Sequence, residues 1–301
     1  MTTADARVGV AVVVVTHDSG ATLADCVRRV LAAEGVTELV IVDNASRDGA
    51  IEPVEFAHAG DARLRVIRNT GNPGFATACN QGANATRAPW LLFLNPDCLL
   101  EWDTVARLLA VAATDPVVGM LGADVRDAAG RREPAARRRD PTFAHSLAQT
   151  FGLAKLDGSL GVSLPASATP VQRVDAISGA LMLVPRAAFA TLGGFDEGYR
   201  LHCEDLDLCR RARDAGYSVL VANQATVMHA KGGSSGGRPL FVRWHKHRGM
   251  WRYYRKFDGA RDPAWKRALV FLGLSGLASL RLLAALQIGR ASCRERVSSP
   301  V

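Results

Sequence analysis

Short apolar runs alternate with segments of helical periodicity along the first third of the chain. Four runs predict strands buried on both faces of a parallel sheet, and they are Val8–Val15, Leu39–Val42, Leu64–Ile67 and Trp90–Leu94. Apolar residues three or four positions apart predict helices that start at Thr22, span Gly74–Ala88 and surround Trp102–Ala113. Thr22 with Asp25 resembles a helix-capping box. The alternation predicts an α/β fold with a mostly parallel, doubly wound sheet flanked by helices.

The pattern weakens in the middle of the chain and then resumes. Residues 126–172 are rich in Arg, Gly, Ser and Pro without periodicity, and we expect a long mobile loop or insertion there. After Ile177 the pattern predicts a strand over Ala180–Val184, a short helix opened by Pro185, a helix over Glu204–Ala215 and a strand over Tyr217–Ala222.

Polar residues follow the predicted strands at the sheet edge where α/β proteins bind ligands. Thr16 follows the first strand, Asp43 the second, and Asn95 and Asp97 the fourth. Asp43 fits either a helix N-cap or a hydrogen-bond acceptor for a nucleobase or ribose. Asp97 fits either a turn aspartate or a carboxylate ligand for a divalent cation.

Two groups further along the chain carry candidate chemistry. Glu204, Asp205 and Asp207 begin a predicted helix, where carboxylates either stabilise the helix N-terminus or supply a general base for an acceptor hydroxyl. His229 precedes a glycine-rich segment. Its imidazole is either structural or, if it lies beside Asp97, part of a Mg²⁺ or Mn²⁺ site.

Composition and charge narrow the classes of protein. The 301 residues are 48% apolar, which is enough for a full core, and their net charge of +8 predicts an anionic partner. That partner is nucleic acid, an acidic membrane or a phosphorylated substrate.

The sequence has no GxGxxG after the first strand and no GxxxxGK[ST], which excludes the usual Rossmann and P-loop phosphate sites. Its six cysteines form no CxxC pair, so neither a zinc site nor a disulfide framework is predicted.

Several segments occur in the order found in one enzyme family. The segments are VVVVTHDS, VDNASRDG, RNTGNPGFATACNQG, LLFLNPD, SGALMLVPRAAFATLGGFDEGY, HCEDLDLCRRARDAGY and VMHAKGGSS. They resemble segments of the inverting family-2 glycosyltransferases of the GT-A fold, particularly the bacterial rhamnosyltransferase-like branch, and the resemblance covers about Val8 to Tyr254. Two positions depart from the family pattern. Asn95-Pro96-Asp97 supplies only one carboxylate at the DXD position, and His17 stands where the family often has an aromatic residue.

The resemblance implies a role for each candidate residue. Asp205 would be the general base, Glu204 would orient it or contact the acceptor, and Asp97 and His229 would hold Mg²⁺ or Mn²⁺. Asp43 would contact the base of the nucleotide. The other residues implied in nucleotide-sugar binding are Thr16, Asn72, Gly74, Asn95 and Gly179. The implied reaction moves a sugar from a nucleotide-diphospho-sugar, of the dTDP-rhamnose or UDP-hexose type, to a hydroxyl of a lipid-linked or surface-polysaccharide acceptor.

The C-terminal region combines basic and aromatic residues with an apolar segment. Residues 241–257 are FVRWHKHRGMWRYYRKF, and residues 268–280 are largely apolar. We expect a helix lying in the interface of an anionic membrane, although a solvated helix face or a nucleic-acid contact also fits residues 241–257. The N-terminus lacks the pattern of a secretory signal, so the predicted location is cytoplasmic and peripheral on the inner face of the cell membrane.

These patterns predict the organisation of the chain. Residues 1–240 form the GT-A domain, with a nucleotide-sugar half (1–125), a variable loop (126–175) and an acceptor half (176–240). A membrane-associating extension follows over 241–287. Residues 288–297, IGRASCRERV, resemble a translated sequencing adapter, so residues 288–301 are predicted to be a non-native tail. Two other functions compete with the glycosyltransferase: a nucleic-acid-binding protein and an inactive membrane-associated scaffold of the same fold.

Overall fold

A computed structural model describes residues 9–142, 161–230 and 239–275 of the chain. In these residues nine strands form one sheet. The strands are β1 (Val10–Thr16), β2 (Val36–Asp43), β3 (Leu64–Arg68), β4 (Trp90–Leu94), β5 (Cys98–Leu99), β6 (Val118–Arg126), β7 (Val171–Arg173), β8 (Leu181–Pro185) and β9 (Ser218–His229).

Helices connect and flank these strands. They are α1 (Thr22–Ala32), α2 (Ile51–Ala57), α3 (Phe75–Asn84), α4 (Thr104–Ala112), α5 (Arg186–Thr191), α6 (Glu204–Asp214) and α7 (Pro239–Phe257). A further helix begins at 264 and continues to 275, where the described part of the chain ends. The sequence pattern located most of these elements but missed α2, β5, β6 and β7.

The sheet has the order β3-β2-β1-β4-β8-β6-β9-β5, with β7 paired to β9. β1 pairs in parallel with β2 and β4, and β2 pairs in parallel with β3. β8 then lies antiparallel between β4 and β6, while β6 and β9 are parallel. The α/β prediction is therefore confirmed, and the sheet is parallel in its N-terminal half and mixed beyond β4. An apolar run shows that a strand is buried on both faces but not which way it runs.

The start of α1 differs from the sequence prediction. The helix buries the expected stripe of apolar side chains, which includes Leu23, Cys26 and Val30. The predicted capping box is wrong, because Thr22 lies inside the first turn and no side chain caps the helix. The Thr22 hydroxyl instead donates a hydrogen bond to the carbonyl of Ser19, at 2.7 Å, in the preceding turn.

The middle segment is ordered in its described parts, contrary to the mobile loop that we expected over 126–172. After β6 a tight turn at Asp127–Arg131 reverses the chain, and a 3₁₀ turn follows at Pro134–Ala136. Asp124 is fully buried and forms ion pairs with three arginines, namely Arg126, Arg132 and Arg137. The segment has no periodicity because ion pairs, rather than an apolar stripe, fix its position.

The chain divides into two compact units, one comprising Met1–Arg200 with Glu204–Ser234 and the other Leu201–Cys203 with Ser235–Val301. The first unit contains the whole sheet. In the second, the rings of Trp251 and Phe271 lie 5.2 Å apart, and the Tyr254 hydroxyl donates to Asp262 at 2.8 Å.

No helix in the described ranges is long and apolar enough to cross a membrane. The glycine-rich segment after His229, the apolar residues 276–287 and the predicted non-native tail lie outside those ranges.

Candidate active site

The carboxyl ends of β1 and β2 lie side by side, with Thr16 in register with Asp43. The Thr16 hydroxyl donates to Ser19 Oγ at 2.8 Å, and Asp43 Oδ1 accepts the backbone N–H of Ser46 at 2.9 Å. Because α2 begins only at Ile51, the N-cap alternative for Asp43 is wrong. Asp43 shapes the turn after β2, and its role toward a nucleobase stays a prediction.

A network of side-chain amides lies beside this turn. Asn69 Nδ2 donates to Asn44 Oδ1 at 2.9 Å and to Gln81 Oε1 at 2.8 Å, while Asn72 Oδ1 accepts the Gly74 N–H at 3.0 Å. Asn72 and Gly74 were predicted from the sequence, whereas Asn44, Asn69 and Gln81 were not. Two of them carried a signal, because Asn44 and Asn69 directly follow β2 and β3.

Gly74 is the N-cap residue directly before α3, and its backbone φ of 105° lies in a region that favours glycine. A Cβ atom at this position would lie 2.7 Å from the carbonyl oxygen of Arg200. Arg200 also donates from Nη2 to the carbonyl of Asn72 at 3.0 Å. The asparagine- and glycine-rich segment is therefore packed directly against Arg200.

Asp97 and His229 meet as sequence analysis predicted. Asp97 Oδ1 lies 3.0 Å from His229 Nε2, because β5 pairs with the end of β9 and places Cys98 opposite His229. Asp97 also ends a turn in which the Cys98 N–H donates to the carbonyl of Asn95 at 3.0 Å. Asp97 therefore lies in a turn and beside His229 at the same time, so its two predicted roles, turn aspartate and metal ligand, are compatible.

Glu133 is a third member of this cluster, which sequence analysis missed. Its Oε1 lies 3.0 Å from His229 Nδ1, and its side chain is buried. The turn after β6 brings it here, since the Glu133 N–H donates to the carbonyl of Val125 on β6. The sequence carried no signal for Glu133, which lies in the segment that we expected to be a mobile loop.

The charge of the cluster follows from these contacts. Burial alone lowers the pKa of His229, but the hydrogen bonds to Asp97 and Glu133 outweigh it and raise the pKa to about 9. An imidazolium shared by two carboxylates is a place where a divalent cation can replace a proton.

The donor atoms fit a hard divalent cation. Mg²⁺ bonds its ligands at about 2.0–2.1 Å in near-octahedral geometry, so neighbouring ligand atoms are about 3 Å apart. The separation of 3.0 Å between Asp97 Oδ1 and His229 Nε2 matches this spacing. Cys98 also lies within reach, but burial and then Asp97 raise the pKa of its thiol well above the usual range. Cys98 therefore stays a neutral thiol, a poor ligand for Mg²⁺ or Mn²⁺.

Asp205 is held by a second cluster at the start of α6. Its Oδ2 accepts hydrogen bonds from Arg138 Nη2 at 2.5 Å and from the Gly179 N–H at 3.1 Å, and its Oδ1 accepts the Leu206 N–H at 2.8 Å. Burial opposes ionisation of this carboxyl, but the charge and hydrogen bond of Arg138 lower its pKa below the usual range. Asp205 is therefore ionised at neutral pH.

Glu204 has the opposite ionisation. Burial, followed by the neighbouring charge of Asp205, raises the pKa of Glu204 to about 8. Its Oε2 is buried and has no hydrogen-bond partner among the residues that the structure describes. Glu204 is therefore protonated at neutral pH. The third acid, Asp207, is paired with Arg211 at 2.6 Å one helical turn along α6.

The two clusters are adjacent because β4 and β8 pair antiparallel, with Leu94 opposite Leu181. Asn95 donates its N–H to the carbonyl of Ala180 at 2.9 Å, beside the Gly179 N–H that binds Asp205. Residues 133–138 also connect the clusters, since Glu133 contacts His229 and Arg138 contacts Asp205. An ionised carboxylate and a candidate metal site thus lie at one edge of the sheet.

Solved structures share this architecture. The chain aligns with GalNAc-T7 bound to UDP, GalNAc and Mn²⁺ at a TM-score of 0.62 and 19% identity, covering 82% of this chain and 48% of that one. It spans about half the length of that structure. It also aligns with the mannosyltransferase PcManGT from Pyrobaculum calidifontis, in complex with GDP-Man and Mn²⁺, at a TM-score of 0.57 and 19% identity over 97% of this chain and 76% of that one. These likenesses confirm the GT-A glycosyltransferase fold.

The sequence comparisons define the family. Residues 11–162, half of the chain, match the model of glycosyl transferase family 2, and the chain belongs to that family. It is 29% identical over 270 residues, 83% of this chain and 84% of the relative, to N-acetylglucosaminyl-diphospho-decaprenol L-rhamnosyltransferase of Mycobacterium tuberculosis. It is also 28% identical over 128 residues, 42% of this chain and 47% of the relative, to rhamnosyltransferase WbbL of Escherichia coli. The glycosyltransferase prediction is confirmed, and nothing in these matches supports the nucleic-acid-binding or inactive-scaffold alternatives.

Proposed function

We propose that this enzyme is a metal-dependent, inverting rhamnosyltransferase or related hexosyltransferase that acts on a lipid-linked acceptor. The observation that carries the proposal is the pair of acids at the start of α6, ionised Asp205 beside protonated Glu204, next to the Asp97–His229 cluster. The rhamnosyltransferase relatives support a dTDP-rhamnose or UDP-hexose type donor and a lipid-linked acceptor.

In the proposed reaction Asp205 acts as the general base. It takes the proton of an acceptor hydroxyl while the acceptor oxygen bonds to the anomeric carbon of the donor, and the bond from that carbon to the diphosphate oxygen breaks. Attack from the face opposite the leaving diphosphate inverts the configuration. Glu204 is protonated at neutral pH, so it serves as a hydrogen-bond donor that orients the acceptor or Asp205.

Asp97 and His229 would hold the Mg²⁺ or Mn²⁺ ion, which when bound neutralises charge on the diphosphate leaving group. The nucleotide would lie along the ends of β1 and β2, where Asp43 offers a carboxylate and Thr16 a hydroxyl. Asn72 and Gly74 would shape the pocket beside the base. Asn95 and Gly179 would line the donor site close to Asp205.

A panel of nucleotide-sugars with Mn²⁺ tests the donor. Selective binding of dTDP-rhamnose or a UDP-hexose should raise the thermal unfolding temperature by mass action, and the same donor should support transfer to a polyprenyl-diphosphate-linked sugar. In this assay Asp205→Asn should lower turnover by about 10²–10⁴-fold while donor binding persists.

Asp214→Asn, at the exposed end of the same helix, is the matched control and should keep activity. Full turnover by correctly folded Asp205→Asn protein would contradict the base assignment.

The second compact unit supports a peripheral membrane location on the cytoplasmic face. Residues 239–275 contain nine Lys or Arg and two Asp, so almost the whole net charge of the chain is concentrated there. Trp244 and Trp265 are 57% and 67% exposed, and Phe241, Leu269, Phe271 and Leu272 are also exposed. Exposed aromatic side chains among basic residues suit the interface of an anionic membrane.

Sedimentation with phosphatidylcholine vesicles, with and without phosphatidylglycerol, tests this location. Binding should require the anionic lipid, weaken with salt and fall several-fold in the Trp244→Ser, Trp265→Ser double variant. Trp102→Ser is the control, because Trp102 is equally exposed but lies in the first unit. Equal binding to both vesicles, or to neither, would contradict the proposal.

A further inference from the structure

Glu133 lies beside a ligand of the proposed metal site, but neither the sequence motifs nor the family resemblance assigns it a role. Its Oε1 is 3.0 Å from His229 Nδ1, while Asp97 Oδ1 is 3.0 Å from His229 Nε2 on the other side of the ring. The imidazole is therefore held at both nitrogens, one by each carboxylate.

We propose that Glu133 is a positioning residue for the metal site, whose carboxylate binds Nδ1–H of His229 so that the Nε2 lone pair faces a divalent cation shared with Asp97. Asp97 and Glu133 both face the ring, one at each nitrogen. If Asp97 binds a cation, Glu133 is the acceptor that remains, and it keeps the single proton of the neutral imidazole on Nδ1 and leaves Nε2 free. The inference rests on the proposed metal site and adds a residue to it.

The backbone around Glu133 keeps its carboxylate in place. The Glu133 N–H donates to Val125 on β6 at 2.9 Å, and its carbonyl accepts the Ala136 N–H at 3.1 Å. The side chain is almost fully buried. Because β6 pairs with β9 up to Met228, the residue before His229, both partners of the hydrogen bond are fixed to neighbouring strands.

The motif at the end of β4 makes this support important. Asn95-Pro96-Asp97 offers one carboxylate, and the sulfur of Cys98 is a soft donor that suits Mg²⁺ or Mn²⁺ poorly. Among the described residues, His229 is therefore the donor that joins Asp97 in this group. Because the described part of the chain presents few ligands here, an error in the direction of the Nε2 lone pair should have a large effect on the affinity for the cation. Partners that orient metal-binding histidines typically contribute 10–100-fold in metal affinity.

Titration with Mn²⁺, followed by electron paramagnetic resonance of the free ion, tests the role directly and needs no turnover. The full-length protein is titrated alone and with the nucleoside diphosphate that stabilises it most. We expect Glu133→Ala to weaken Mn²⁺ binding by about 10–100-fold. Glu133→Gln, which keeps an acceptor oxygen without its charge, should lose less.

Glu38→Gln is the matched control. Glu38 lies on β2, away from this cluster, and accepts the backbone N–H groups of Arg87 and Ala88. Its substitution should leave Mn²⁺ affinity unchanged. Thermal unfolding of each variant shows whether it is folded.

A second measurement reports the tautomer. In ¹⁵N-histidine-labelled protein with Mg²⁺, the signal that disappears in His229→Ala should show a protonated Nδ1 and an unprotonated Nε2. Glu133→Ala should lose this preference, and Glu133→Gln should partly restore it.

The outcomes separate the two proposals. Wild-type affinity in folded Glu133→Ala, or an unchanged His229 tautomer, overturns the role of Glu133 alone. Failure of the wild-type protein to bind Mn²⁺ in both titrations overturns the metal site as well.

Discussion

Arg138 binds Asp205 across 67 positions of the sequence, with Nη2 of the guanidinium 2.5 Å from Oδ2 of the carboxylate. The same nitrogen donates to the carbonyl of Ile177, so Arg138 ties the start of α6 to the loop that precedes β8. The two charges are largely buried, which makes their attraction stronger than that of a surface pair. This contact keeps Asp205 ionised although it lies in the protein interior.

Removal of Arg138 should therefore change the pH dependence of the reaction. In Arg138→Met the pKa of Asp205 should rise, because burial would act without the opposing cation. The acid limb of kcat/KM against pH should move to higher pH. Arg138→Lys keeps a positive charge, so its acid limb should lie between those of the wild type and Arg138→Met. An acid limb that stays in place in Arg138→Met would show that Arg138 does not control the ionisation of the base.

Glu204 should make the stability of the fold depend on pH. Its pKa rises from an ordinary 4.5 to about 8 in the folded protein, so between these values the folded state holds a proton that the unfolded chain has released. This contribution to the free energy of unfolding is fully present below pH 4.5 and is lost as the pH rises through about 8.

Glu204→Gln cannot titrate, so the comparison isolates this group. The unfolding temperature of the wild type, minus that of Glu204→Gln, should fall as the pH increases from 5 to 8 and then level off. Thermal unfolding of both proteins at constant ionic strength measures this difference in unfolding temperature. A difference that is constant across this range would contradict the protonated state assigned to Glu204.

The N-terminal half of the sheet could be predicted because burial on both faces leaves an unbroken apolar run. Trp90–Leu94 is such a run, and β4 has these same bounds. Asp97, Asp205 and His229 could be selected as candidates because each lies near the end of a strand or at the start of a helix, in a recognisable motif. Local sequence carries this information.

Glu133 and Arg138 could not be predicted, because their order comes from partners far away in the sequence. Glu133 contacts His229 across 96 positions, and Arg138 contacts Asp205 across 67. Neither pairing leaves a periodic pattern around the residue itself. Other arginines of this segment are also paired with acids: Arg131 with Asp127, and Arg132 and Arg137 with Asp124.

Arg137 should be essential for the stability of this segment. Its side chain is only 2% exposed, and it joins Asp124 at 2.7 Å and Asn223 at 2.6 Å. Breaking a buried ion pair costs about 3–5 kcal/mol because it leaves a charge without its partner. Since Asp124 keeps Arg126 and Arg132, we expect Arg137→Met to lose about 3 kcal/mol, at the lower end of this range.

The control for this prediction lies six residues earlier in the same segment. Arg131 is 80% exposed in its side chain and pairs with Asp127 within a turn. Arg131→Met should change stability by less than about 1 kcal/mol. Denaturant unfolding of both variants measures the difference, and equal losses would show that the buried cluster does not anchor the segment.

Gly74 tests whether the asparagine- and glycine-rich segment depends on close packing against Arg200. A methyl group there would lie 2.7 Å from the Arg200 carbonyl, and the backbone φ of 105° is strained for any residue with a Cβ. Either effect costs about 1–3 kcal/mol, so Gly74→Ala should destabilise the protein by about 2 kcal/mol or more. Because Asn72 and Arg200 are in contact here, we also expect the affinity for the donor nucleotide to fall.

Gly71→Ala is the control, because Gly71 lies three residues earlier in an open position. This substitution should leave both the stability and the nucleotide affinity unchanged. Thermal unfolding and nucleotide titration of the two variants measure these effects, and equal behaviour of the pair would rule out a specific role for the Gly74 contact.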